Sequence, residues 1–233
     1  MYARAFTTLK HNIAFYVVVT VVVVMLESMM QAVGIVTLVF AGLTMLYTHR
    51  MIQLQEHYGW ADPLSTTGKN GDKVPIFGYC LRFLALFVIL TLVLSLCFVL
   101  LGQLGVIAAG DSETGGASNL LAPLFGIPLF VVLLSLIGTV LPASAERANT
   151  SLQAALKRGR ATLGKTAINL LIGPIAIAAL GFVLQMAFAS GISAESGFLP
   201  KLAYRTAATI LTILPAMLAA TALSIAYLDA ESR

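Results

Sequence analysis

Charged residues along this chain fall in short clusters, and between them the apolar positions run on without the one-sided alternation of a half-buried strand or a soluble surface helix. Such runs predict helices apolar on every side. Crossing a bilayer takes ~20 residues per helix, and six stretches meet that length, approximately 12–28, 31–48, 83–106, 121–142, 166–189 and 206–228. The first two are separated only by Glu27. As one helix, the joined run would measure about 55 Å against a hydrocarbon core of ~30 Å. A tight turn near Glu27–Gln31 is therefore predicted, with Glu27 as a turn residue at the far interface. The expected fold is all-α: a polytopic membrane helix bundle over 1–233, six transmembrane helices in three consecutive hairpins.

Composition agrees with lipid as the solvent, since 59% of residues are hydrophobic and only 10% charged, against roughly 45–50% and about 25% in soluble domains. The formal charge of +4 is dispersed among apolar runs, without the basic face that nucleic acid requires, so no nucleic-acid partner is expected. It acts instead as a topology signal. Twelve of the fourteen Lys and Arg residues precede helix 1, lie between helices 2 and 3 or 4 and 5, or end the chain, leaving Lys201 and Arg205 opposite. Positive loops stay inside, so both termini are expected in the cytoplasm and the protein in a bacterial inner membrane as a multi-pass chain. Nothing at the N-terminus resembles a cleavable signal.

Two segments break the apolar pattern. The cytoplasmic loop 49–82 includes Tyr58–Pro75, rich in Gly, Pro, Ser, Thr and Asn, which is expected to be flexible, with Tyr58 and Trp60 as interfacial anchors. In 151–164, Ser151 caps a helix whose Leu152, Ala155, Leu156 and Leu163 recur at helical spacing while basic residues point elsewhere. It reads as a cytoplasmic amphipathic interface helix. Lys157, Arg158, Arg160 and Lys165 would touch anionic phospholipid of the bilayer or, alternatively, another membrane protein.

The segment TSLQAALKRGRATLGKTAINLLIGP, the opening ARAFTTLKHNIAFYVVV and the close ALSIAYLDAESR resemble bacterial six-helix membrane families related to the membrane domain of glycerophosphoryl diester phosphodiesterases. At the close, Ala230, Glu231 and Ser232 intervene between Asp229 and Arg233, a wider spacing than that family has. The resemblance implies the membrane part alone, without the soluble catalytic barrel, and hence no transfer of the phosphodiesterase reaction.

Chemistry is sparse. His11, His49 and His57 lie on the predicted cytoplasmic side with no HExxH or CxxC, so neither a metal site nor a cofactor is expected. Ser95, Ser135 and Ser224 have no His or Lys at an evident partnering position, so no catalytic residue is assigned. Cys80 and Cys97, about 25 Å apart on one helix, cannot pair. Mid-membrane charges, which ion-coupled transporters retain, are absent from the predicted spans. Gly173, Pro174 and Pro215 mark kinks that could border a cavity. The favoured function is a non-enzymatic accessory or scaffold; the alternative is a channel or transporter for a small or lipidic solute through the groove at Pro174 and Pro215.

Overall fold

The computed structural model describes residues 1–29, 33–69, 71–103, 115–189 and 197–232, and their architecture is all-helical. The helices are α1 (Tyr2–His11), α2 (Ile13–Met29), α3 (Val33–Gln53), α4 (Ile76–Gln103), α5 (Gly115–Ile137), α6 (Val140–Ala145), α7 (Leu152–Leu170), α8 (Ala176–Ala189) and α9 (Phe198–Glu231), with a π-turn at Leu171–Ile175 joining α7 to α8. Four helical stretches are long and apolar enough to cross a bilayer: Ile76–Gln103, Leu124–Ala145, Leu152–Phe188 and Phe198–Glu231. The pair α1–α2, bent by 78°, makes a fifth if taken as one span.

Helix α9 is the central element, packed along α3 and α7 and also touching α2, α8 and the π-turn. Small residues allow this, since Ala220, Thr221, Ala222 and Ala226 are buried in it and let neighbouring backbones come close. Helices α5 and α7 cross closely. A Cβ on Gly159 would overlap the Leu136 backbone, so only glycine admits that approach.

Several boundaries differ from the sequence expectation. The turn expected near Glu27–Gln31 lies partly outside the described residues, α2 being described to Met29 and α3 from Val33; Glu27 itself is a buried helical residue that accepts a hydrogen bond from Thr37. The expected loop 49–82 is shorter at both ends, because α3 continues to Gln53 and α4 starts at Ile76. The expected end of the third span, at 106, lies outside the described residues.

Tyr58–Pro75 is folded. Gly68 donates to the Asp72 carbonyl, Val74 donates to Thr66, and the Tyr47 hydroxyl donates to the Ser65 carbonyl from below. Tyr58 is buried at 3% exposure, so it is no interfacial anchor, whereas Trp60 stays exposed at 67%. Cys80 and Cys97 both lie on α4 as free thiols.

The largest difference concerns 151–164. Ser151 does cap the helix, its Oγ accepting from the Ala154 amide at 3.3 Å. The helix does not stop before a separate fifth span, however. It continues to Phe188 as one stretch of 37 residues, about 55 Å at 1.5 Å per residue. Its buried face is Ala155, Gly159, Thr162, Thr166 and Leu170, while Leu152 is 58% exposed. Its amphipathic face is covered by α5 and α9, and 151–164 is the basic start of this longer helical stretch, not a separate helix.

Candidate functional site

Pro174 and Pro215, the two expected kink positions, both line a cavity of about 280 Å³, and α9 runs through Pro215 as one helix. Proline lacks an amide hydrogen and crowds the preceding turn, and between α7 and α8 the π-turn Leu171–Ile175 absorbs that defect with one extra residue in the turn. Beyond it α8 packs chiefly on α9, whereas α5 had packed along α7. A cleft opens where the partners separate. Its walls include Phe83 and Leu86 of α4, Phe130 of α5, Pro174, Pro215 and Ala216, and every lining side chain is apolar. Such a lining matches hydrocarbon in chemistry and offers no group for bond-making chemistry. Gly173 faces the other way, where an added Cβ would lie 3.0 Å from Met1 Cε.

The four basic residues of α7 do not form one cluster. Arg158 pairs with Glu231, donates to the Asn149 carbonyl at 3.0 Å and stacks 5.0 Å from the Tyr227 ring centre. Lys165 pairs with Asp229. These partners belong to the closing Tyr-Asp-Glu segment of α9, so that segment clasps α7. Lys157 and Arg160 are exposed, and they keep their charge available at this surface.

Two buried polar constellations escaped the sequence reading. His49 Nδ1 lies 2.7 Å from Ser224 Oγ, with both residues fully buried and Tyr79 at 6.0 Å between ring centres. The pair is 175 positions apart in the chain, so no local spacing announces it. Among the described residues the other ring nitrogen has no hydrogen-bond partner, carboxylate or otherwise, and the pair is buried; it ties α3 to α9.

The second constellation is ionic. Arg50 donates from Nε and Nη2 to Glu56 at 2.7 and 2.6 Å, and from Nη1 to the Ala145 carbonyl at 3.1 Å. Glu56 also accepts from the Tyr58 hydroxyl at 2.6 Å and the Lys69 amide at 3.3 Å. Gln55, in the left-handed region at φ 53°, turns the chain back so that a residue six positions after Arg50 can reach it. A Cβ on Gly68 would overlap both charged groups. Burial pushes the Glu56 carboxyl up, but the hydrogen bonds from Arg50 and Tyr58 outweigh it and hold it below the ordinary carboxylate range. The Tyr58 phenol is raised by burial and by Glu56, and so stays a donor. This network latches the 54–75 loop over one end of the bundle.

Among the described residues, no three His, Cys, Asp or Glu side chains come together in a way that could hold a metal ion. Comparison of the chain with protein families, with curated proteins and with solved structures returns no match.

Proposed function

We propose that this is a non-enzymatic, six-span protein of the bacterial inner membrane, with both termini cytoplasmic, that acts as an accessory holding a membrane lipid by its acyl chain. The cleft at Pro174 and Pro215 carries this reading. It is apolar on every side, it lies between helices long enough to span, and within a bilayer hydrocarbon is the abundant molecule of matching chemistry. The six-span count is supported by helices lying at each of the six apolar runs. Kinship with the membrane part of the phosphodiesterase families rests on the three quoted segments, and the clasp between α7 and the end of α9 gives two of them a common physical role. Lys157 and Arg160 favour a second, weaker contact with anionic headgroups or with a partner protein.

A phospholipid carrying a photoactivatable acyl chain tests the reading in proteoliposomes. Label is expected on Phe83 and Leu86 and is expected to fall several-fold in Ala216→Phe, which fills the cleft, while label on the outward-facing Leu92 and Leu96 is unchanged. Equal labelling of the cleft residues in both proteins would refute acyl-chain occupancy.

A further inference from the structure

The ten residues of α1 carry a pattern that a spanning helix does not need. Tyr2, Phe6 and Leu9 recur at i, i+4 and i+7, while Arg4, Thr7 and His11 recur at i, i+3 and i+7 on the opposite side. The neighbours settle which side is which. Thr7 and His11 border a polar hollow with Gln55, Glu56 and His57 of the latched loop. Leu9 roofs an apolar groove that runs between α2 and α9 past Val17, Val21 and Ile210. One face of α1 therefore looks toward the loop and the other toward the apolar flank of the bundle.

The helix is also held at a fixed angle. Asn12 interrupts it: Nδ2 donates to the Thr8 carbonyl at 3.0 Å and Oδ1 accepts from the Tyr58 amide at 2.8 Å, so the 78° bend to α2 is tied to the loop. At the other end, Met1 and Tyr2 rest on Gly173. Ala5 and Thr8 are buried against the bundle, yet Tyr2 and Phe6 remain 47% and 67% exposed. With α2 crossing the membrane, a helix bent 78° from it lies near the membrane plane.

We infer that α1 is an in-plane helix seated on an anionic phospholipid leaflet, with Tyr2, Phe6 and Leu9 in the acyl boundary and Arg4 and Lys10 at the headgroup phosphates. Charge complementarity favours this occupant, because α1 carries Arg4 and Lys10 and no acidic residue, and cations beside aromatic side chains suit the headgroup level. The surface helix predicted at 151–164 thus has its counterpart at the other end of the chain. This inference uses none of the residues of the apolar cleft and stands or falls independently of it.

Spin labels test it on the full chain, in a Cys80→Ala, Cys97→Ala background reconstituted with phosphatidylglycerol and phosphatidylcholine. A label at Phe6→Cys is expected to collide more with oxygen than with a water-soluble nickel chelate, and one at Thr7→Cys the reverse. Both sites are exposed, so labelling leaves the fold intact. Water-type accessibility at both positions, or lipid-type accessibility at both, would overturn the in-plane placement. Arg4→Gln with Lys10→Gln is expected to lower retained phosphatidylglycerol in native mass spectra by roughly tenfold without changing phosphatidylcholine; unchanged retention would overturn the headgroup assignment.

Discussion

Glu56→Gln probes the latch with little change of shape. The Glu56 carboxylate receives four donors, two of them from Arg50, and each side chain of the pair is 5% exposed. The amide keeps one acceptor oxygen and turns an N–H toward groups that are themselves donors, leaving the Arg50 charge uncompensated. Removing one partner of a buried pair costs about 3–5 kcal/mol. The 54–75 loop can detach and return Arg50 to water, so the cost is met by local opening, and the lower value, about 3 kcal/mol, is expected. That is roughly a 150-fold shift toward the open loop. Tyr58 is buried in this loop and its amide donates to Asn12 Oδ1, so hydrogen exchange at that amide follows the opening directly. The double variant Arg50→Met, Glu56→Leu is expected to recover most of the loss, since apolar replacement of a whole buried pair is often neutral. The pH dependence has a definite sign. Because the folded-state carboxyl lies below its unfolded value of about 4.3, the latch is fully stabilised above that value and weakens as the pH falls through the lower folded one. Exchange of the Tyr58 amide is expected to rise beyond its intrinsic pH dependence in that acidic window in the native chain, with no rise attributable to this group in Glu56→Gln. A variant with native exchange at the Tyr58 amide and the same acid profile would refute the latch.

Three further outcomes are expected. Gly159→Val places methyls on the Leu136 backbone and is expected to cost about 1–3 kcal/mol or more in detergent unfolding; native stability would refute the close α5–α7 crossing. Ser224→Ala leaves the buried His49 without its hydrogen bond and is expected to cost about 1–3 kcal/mol, read by differential scanning fluorimetry, with a melting temperature unchanged from the native chain counting against the α3–α9 tie. For orientation, a membrane-impermeant thiol reagent applied to intact cells is expected to label Ser112→Cys and not Asp62→Cys in a Cys80→Ala, Cys97→Ala background; label at Asp62→Cys would reverse the proposed sidedness.

The residue pattern alone determined the solvent, because apolar runs of spanning length have no stable alternative to helix in lipid. It also placed the helices near their apolar runs, the Ser151 cap and the separation of Cys80 from Cys97, all consequences of short-range spacing. It marked Pro174, where the π-turn stands, though not that Pro174 and Pro215 line one cleft, since that depends on where α8 parts from α5. Facial patterns were ambiguous for a physical reason: amphipathicity says that two faces differ, and only the neighbours decide whether the smoother face meets helix or lipid. In α7 that face is Ala155, Gly159 and Thr162 against α5 and α9; in α1 it is Tyr2 and Phe6, left uncovered. The His49–Ser224 tie, the Arg50–Glu56 latch and the α7–α9 clasp join residues that no helical or strand period brings together. Tertiary structure decided those, because a buried polar atom must find whichever partner the fold delivers within hydrogen-bonding distance.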